Sequence, residues 1–78
     1  MREREFVEYI AKELVDAPET VEVNEELKND KIVVKLKVGE DEIGKIIGKK
    51  GRTASAFRVM FSAVAAKYGK RGILEIIE

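Results

Sequence analysis

The sequence contains no cysteine and no histidine among its 78 residues. Without cysteine there can be no disulfide, no thiolate metal ligand and no thiol nucleophile. Without histidine the chain lacks the commonest general base and the commonest metal ligand, which leaves carboxylates, lysines, tyrosines and hydroxyls for any chemistry. We therefore expect a protein that is not an enzyme and that needs neither a cofactor nor a metal ion.

Long apolar runs are also missing. No stretch approaches the roughly 18 apolar residues of a membrane span, and no apolar segment follows the charged first residues as in a secretion signal. The lack of cysteine suits a reducing compartment, so we expect a cytoplasmic protein without membrane contact. A chain of 78 residues cannot support two cores, and residues 1–78 are therefore expected to form one domain.

The charges are segregated along the chain, although their formal sum is zero. Residues 1–30 hold four basic and ten acidic residues, for a net charge of −6, whereas residues 31–78 hold eleven basic and five acidic residues, for +6. Between residues 43 and 74 there is no acid, and there are eight bases: Lys45, Lys49, Lys50, Arg52, Arg58, Lys67, Lys70 and Arg71. A surface with one basic face attracts a polyanion without a basic pI.

Hydrophobic periodicity predicts six elements in the order α-β-β-α-α-β. Apolar residues at steps of four predict a helix over residues 2–15, which Pro18 ends. Alternating residues predict strands at 21–24 and 32–38, joined through the turn pair Asn29-Asp30. A short helix over residues 43–47, a long helix over residues 52–68 and a strand over residues 73–77 follow. This order predicts an α+β fold, in which a three-stranded sheet carries three helices on one face.

Two features near the helices have structural explanations. Phe57, Phe61 and Tyr68 share one side of the long helix, where we expect core packing. Glu40, Asp41 and Glu42 precede the short helix, where acids favour the positive end of the helix dipole, and we prefer this explanation to a metal site.

The stretch from Gly48 to Gly51 holds two lysines between two glycines, at the junction of the two predicted helices. Glycines let the backbone turn tightly and approach a ligand. The start of the next helix adds free N–H groups and a positive dipole, so phosphate is the expected ligand. A P-loop is excluded, because only three residues separate Gly44 from Gly48 and no Ser or Thr follows Lys49.

The segment Ile47-Gly48-Lys49-Lys50-Gly51-Arg52, preceded by Gly44 and set between two helices, resembles the KH motif with its GXXG loop. The whole element order resembles a type II KH domain, and the short length resembles the KhpA family of small bacterial stand-alone KH proteins. The resemblance implies a non-catalytic protein that clamps the backbone of about four nucleotides of single-stranded RNA. It also implies post-transcriptional regulation, chaperone activity, and links to cell elongation and cell shape in some bacteria.

The resemblance implies RNA-binding roles for a set of residues around the loop. The loop itself would hold the backbone, Gly44 would leave room beside the groove, Ile47 would form an apolar wall, and residues of the long helix and of the second strand would add polar contacts. The expected set is Gly44, Lys45, Ile47, Gly48, Lys49, Lys50, Gly51, Arg52, Ser55, Arg58, Lys35 and Lys37. No aromatic residue is close to the loop in sequence, so we expect weak binding of low sequence specificity for one copy.

The outward face of the long helix carries small and apolar residues where a solvated helix usually shows charges. This stripe consists of Ala56, Val59, Ala63 and Ala66. Small residues let two helices approach closely, and the resemblance implies a homodimer or pairing with a larger Jag-type KH partner, KhpB or EloR. High helix propensity of alanine is the alternative explanation. A protein adaptor that works through this stripe, with RNA binding secondary, therefore remains the second hypothesis.

Overall fold

The computed structural model describes residues 2–77. Its elements follow the predicted α-β-β-α-α-β order, which is confirmed: helix α1 (Arg2–Leu14), strand β1 (Glu22–Leu27), strand β2 (Lys31–Lys37), helix α2 (Ile43–Ile47), helix α3 (Arg52–Ala66) and strand β3 (Arg71–Ile77). Two 3-10 turns, Pro18–Thr20 and Lys49–Gly51, precede β1 and α3. The predicted α+β class is also confirmed.

The three strands form one mixed sheet in the order β1-β2-β3. Strands β1 and β2 are antiparallel, with Val23 opposite Leu36. Strands β2 and β3 are parallel, with Val34 opposite Leu74. The parallel pairing follows from the connection, because α2 and α3 carry the chain back to the end of the sheet where β2 begins. Alternation along the central strand buries one set of side chains against the helices: Ile32, Val34, Leu36 and, just beyond β2, Val38.

Helix α1 covers the β1 side of the sheet. Its deepest row is Val7, Ala11 and Val15, at steps of four, while the neighbouring Phe6, Ile10 and Leu14 are only partly buried. The buried row continues toward the start of the helix to Glu3, which is 2% exposed. The apolar pattern predicted this helix but not the burial of its first-turn glutamate.

Helix α3 covers the β3 side and supplies the largest core side chains, Phe57 and Phe61, both fully buried. Truncation of such a ring to alanine costs about 3–5 kcal/mol. The helix lies so close to β3 that a Cβ at Gly72 would come within 2.9 Å of the Ala65 Cβ. Tyr68, which the helical period places with the core, is 45% exposed, because α3 ends at Ala66 and the chain turns away before Tyr68.

The strands are longer than the alternation predicts, since β1 extends to Leu27 and β3 begins at Arg71. Most of these added residues are polar, and the neighbouring strand rather than their own hydropathy sets their pairing. None of the helices within residues 2–77 is long and apolar enough to cross a membrane.

Candidate nucleic-acid interface

The loop between α2 and α3 has an unusual backbone conformation. Gly48 (φ 75°, ψ 175°) ends α2, Gly51 (φ 73°, ψ 12°) precedes α3, and between them Lys50 adopts φ 58° and ψ 27°. Left-handed conformations are readily accessible to glycine but are strained for other residues, with a cost of about 1–3 kcal/mol. Lys50 is the one non-glycine residue with positive φ among residues 2–77. The local structure thus holds this lysine in a conformation that it would rarely adopt alone.

Gly48 also lies against the first turn of α3. A Cβ at this position would lie 2.2 Å from the Thr53 Oγ1 and 2.9 Å from the Thr53 backbone nitrogen. No side chain fits there without movement of the helix start. Thr53 therefore fixes the position of the loop relative to α3. The motif points to the glycine, but nothing in its pattern identifies the residue that lies against it.

Lys49 and Lys50 are exposed at the apex of the loop, and Arg52 is exposed at the start of α3. None of these three makes an ion pair with a carboxylate of the described chain. The helix dipole of α3 adds a positive potential at the same place. The loop is consequently a small region of uncompensated positive charge beside exposed backbone.

Lys45 is different, because carboxylates from outside the basic segment neutralise its charge. Its Nζ lies 2.7 Å from Glu42 Oε1 and 3.2 Å from Asp16 Oδ2. Glu42 is buried and also accepts a hydrogen bond from the Ala17 N–H. Lys45 holds the pKa of Glu42 below its ordinary value, with the Ala17 N–H as the second cause, and Glu42 in turn raises the pKa of Lys45. These contacts join α2 to the end of α1, and they occupy the ammonium group that the sequence assigns to RNA.

Strand β3, rather than β2, lies next to the polar side chains of α3. Arg58 is exposed, and its Nε donates to the Leu74 carbonyl at 3.4 Å. Ser55, one turn earlier, is also exposed. The helix and the edge strand thus form one continuous side of the molecule that leads away from the loop.

Lys35 and Lys37, which the sequence analysis groups with the loop, lie elsewhere. They alternate with the buried Leu36, so their side chains project from the face of the sheet opposite the helices. Lys37 is opposite Glu22 and Lys35 is beside Glu75 in register. The structure therefore does not bring these two lysines together with the loop, because one-residue steps in a strand alternate between faces.

Two uncharged residues of the expected set border the loop. Gly44 is exposed, and a Cβ there would meet no atom within 4 Å. Ile47, the last residue of α2, is 37% exposed. Both positions leave open space beside the loop.

The stripe of Ala56, Val59, Ala63 and Ala66 lies on the solvent side of α3, and all four residues are exposed. Val59 is 68% exposed, and the neighbouring Met60 is also largely uncovered. Arg52 is the one charged residue on this face of the helix, at its start.

Within residues 2–77 no group of three or more acidic side chains lies close enough to hold a metal ion. The acids before α2 do not cluster either, since Glu42 points to Lys45 and Ala17 instead.

Comparison with known proteins adds a family to this geometry. A family model described as "KhpA/KhpB, KH domain" matches residues 4–76. The "RNA-binding protein KhpA" of Clostridium perfringens is 50% identical over 74 residues, covering 95% of this chain and 99% of the relative. The protein of the same name from Caldanaerobacter subterraneus subsp. tengcongensis is 51% identical over 73 residues, with 94% and 97% covered. That from Aquifex aeolicus is 45% identical over 75 residues, with 96% and 95% covered. No solved structure matches.

Proposed function

The chain belongs to the KhpA/KhpB family of KH domains, and from this premise we propose that it binds single-stranded RNA without catalysis and acts in post-transcriptional regulation. The observation that carries the proposal is the loop from Gly48 to Gly51. There two unpaired lysines stand at the start of a 15-residue helix, on a backbone that the glycines leave accessible. The name RNA-binding protein, borne by relatives about half identical to this chain, supports the same reading.

In the proposed mechanism, Lys49 and Lys50 neutralise phosphates while the backbone of Gly48 and Gly51 approaches the sugar-phosphate chain. A KH loop clamps about four nucleotides in this way. Because the contacts go to phosphate and sugar, they position the strand without reading its sequence. Arg52, Ser55 and Arg58 extend the contact along α3, and Gly44 and Ile47 border the space that the bases would enter.

Weak binding by one copy follows from the same geometry. The exposed aromatic side chains of residues 2–77 are Tyr9, in the middle of α1, and Tyr68, beyond the other end of α3. Base stacking, which contributes about 1–3 kcal/mol per base in other single-strand binders, is thus absent from the loop. Electrostatic contacts alone should give an affinity that falls steeply with salt.

The test is a variant with Lys49→Asp and Lys50→Asp, assayed by gel shift or filter retention with a short single-stranded RNA. We expect retention to be lost while the circular dichroism spectrum stays unchanged, because both side chains are exposed. The matched control is Arg4→Glu with Lys12→Glu on α1, which lowers the net charge by the same amount. Unchanged binding by the loop variant would rule out the loop as the clamp.

We further propose that the chain works as a homodimer, or with a Jag-type KH partner such as KhpB, through the α3 stripe. The support is the exposure of Val59 among small residues that permit close helix packing. Two loops on one RNA would raise the effective affinity well above that of one site. The adaptor hypothesis rests on the same stripe and differs only in making RNA binding secondary.

Sedimentation of Ala63→Asp tests the homodimer. A buried carboxylate without a partner disfavours helix pairing, so the variant should be monomeric at concentrations where the wild type is dimeric. Ala63→Ser, which adds only a hydroxyl, should keep the dimer. A wild type that is already monomeric at high concentration, with the Asp variant indistinguishable, excludes the homodimer. If instead loss of the loop lysines leaves RNA retention intact while Ala63→Asp abolishes pairing, the adaptor hypothesis is the better one.

A further inference from the structure

The fold assembles a second group of bases at the end of α3 opposite the loop. Five basic residues from two distant segments lie around this end of the domain, and we call them the far-end cluster: Lys28, Lys31, Lys67, Lys70 and Arg71. Lys67 and Lys70 follow α3, whereas Lys31 and Arg71 alternate with the buried residues of their strands and project, like Lys28, from the open face of the sheet. Lys31 and Arg71 are register partners on adjacent strands. The Arg71 N–H donates to the Asp30 carbonyl at 2.9 Å, and the Lys70 Nζ donates to the Asn29 carbonyl at 3.1 Å. The β1-β2 turn and the α3-β3 turn are therefore in direct contact.

Few of these bases form an ion pair, although Glu26 and Glu75 line the same surface depression as Lys28 and Lys31. Glu26 pairs with Lys28 at 3.8 Å. Lys31, Lys67 and Arg71 form no ion pair with any carboxylate of residues 2–77, and Lys67 and Arg71 are exposed. A position near the C-terminus of α3 explains Lys67, since cations there interact favourably with the helix dipole. It does not explain Lys31 and Arg71, which begin two parallel strands.

An aromatic side chain accompanies these charges. Tyr68 lies between Lys67 and Lys70 in sequence, and this residue is 45% exposed. Exposed aromatic rings beside cations are typical of surfaces that bind single-stranded nucleic acid, where bases stack and phosphates pair. A patch that attracts anionic surfaces by charge alone has no need of an aromatic side chain, so Tyr68 favours a nucleic-acid ligand.

The distance from the loop decides how the far-end cluster can act. Helix α3 has 15 residues, which places its two ends about 22 Å apart at 1.5 Å per residue. A KH loop takes up about four nucleotides. One strand of RNA longer than this can reach along the side formed by α3 and β3, past Arg58, to Lys67 and Lys70. From there it can continue around the end of the edge strand β3 to Arg71 and Lys31 on the open face.

We propose that the far-end cluster, with Tyr68, is a second RNA contact that holds the continuation of the strand clamped by the loop. The proposal rests on the proposed function and adds a length dependence to it. A four-nucleotide RNA contacts the loop alone, whereas a longer RNA contacts both ends of α3.

The experiment compares fluorescence anisotropy of labelled oligouridines of about 4 and about 12 nucleotides. The test variant is Lys67→Gln with Arg71→Gln, and the control of equal charge change is Arg4→Gln with Lys12→Gln. The ratio of wild-type to variant affinity is calculated at each length. The longer RNA offers more overlapping binding positions to both proteins, and this statistical factor cancels in the ratio. Losing two phosphate contacts should lower affinity for the 12-mer about 10- to 30-fold at 0.1 M salt and reduce the salt slope by about 1.4.

Affinity for the 4-mer should stay within about twofold, because the loop is intact. Tyr68→Leu should weaken the 12-mer about fivefold or more and leave the 4-mer unchanged. The Arg4/Lys12 control should bind both lengths like the wild type.

Three results would overturn the proposal. The first is a far-end variant that equals wild type at both lengths, and the second is one that weakens both lengths equally, which would reveal a field effect rather than a contact. The third is a cluster that instead mediates retention on anionic vesicles, with RNA binding unchanged in the variant. The loop variant Lys49→Asp/Lys50→Asp distinguishes failure of the second contact from failure of the proposed function. If the loop variant no longer binds the 4-mer or the 12-mer while the far-end variant binds both, the second contact is refuted and the loop remains the RNA-binding site.

Discussion

Three glycines within eight residues, Gly44, Gly48 and Gly51, give a sharp test of the loop geometry, because alanine should act differently at each. At Gly48 the backbone lies in a region essentially restricted to glycine, which costs another residue about 1–3 kcal/mol. The new Cβ would also displace Thr53, including its backbone nitrogen, and such overpacking costs a further 1–3 kcal/mol or so. We expect Gly48→Ala to destabilise the fold by about 2–6 kcal/mol.

The two matched variants differ from Gly48→Ala in one respect each. Gly51 also has positive φ, but a Cβ there meets nothing within 4 Å, so Gly51→Ala should cost only the left-handed strain of about 1–2 kcal/mol. Gly44 lies inside α2 with open space around it, and alanine should stabilise the helix by about 0.5–1 kcal/mol.

Urea denaturation followed by circular dichroism measures all three. In a domain of this size 1 kcal/mol corresponds to a shift of about 4–8 °C in Tm, so thermal unfolding resolves the order as well. Equal losses for Gly48→Ala and Gly51→Ala would refute the close contact with Thr53. Gly44→Ala carries a second readout: its added methyl faces the space beside the loop, so we expect weaker RNA binding from a more stable protein.

Two further predictions concern buried carboxylates. Glu42→Gln removes one of the two carboxylates that pair with Lys45, so it should destabilise the fold at neutral pH. Because the folded-state pKa of Glu42 lies below its ordinary value of 4.5, the stabilisation is complete above that value and is lost as pH falls through the lowered pKa. The stability difference between wild type and Glu42→Gln in urea titrations should therefore shrink from pH 7 toward pH 3, and a constant difference would contradict the ion pair. Glu3 is buried, and its Oε1 lacks a hydrogen-bond partner. Glu3→Leu should therefore stabilise the protein by about 1–3 kcal/mol in urea denaturation, whereas Glu3→Gln should stabilise it less because a polar group stays buried. A loss of stability in Glu3→Leu would show that the carboxylate has a hydrogen-bond partner in solution.

The sequence predicted the helices and strands because hydrophobic periodicity and turn residues are properties of short segments. The alternation in β2 and the four-residue steps in α1 fix which faces are buried, and the glycines fix the loop. Helix and strand ends were less well defined, since β1 and β3 extend over polar residues that pair only because a neighbouring strand is present. The parallel partner of β2 likewise depends on the path of the two helices.

The charges were harder to predict, because their compensation is a property of the tertiary structure. Lys45 belongs to a segment of the sequence without acids, yet the fold places it against Asp16, which is 29 residues earlier. Lys35 and Lys37 were assigned to RNA because the resemblance implies polar contacts from the second strand, although the strand period places them on the far face of the sheet. Thr53 carried no signal beyond its position after a glycine, since its contact with Gly48 depends on the angle at which α3 begins.

A chain of zero net charge binds a polyanion only if its fold separates compensated bases from uncompensated ones. The central strand compensates part of its charge, because Lys37 lies opposite Glu22 and Lys35 beside Glu75 on the open face of the sheet. Lys31 and Arg71, at the end of the same face, lie beside each other instead of beside an acid. Acidic α1 and β1 lie on the other side of the sheet order from β3. Apart from Arg58 in the middle of α3, the bases without a neighbouring carboxylate then lie at the loop or around the opposite end of the domain, where α3 ends and β2 and β3 begin. Since phosphate neutralisation dominates such binding, the salt dependence of RNA affinity should be governed by these two groups and not by the overall charge.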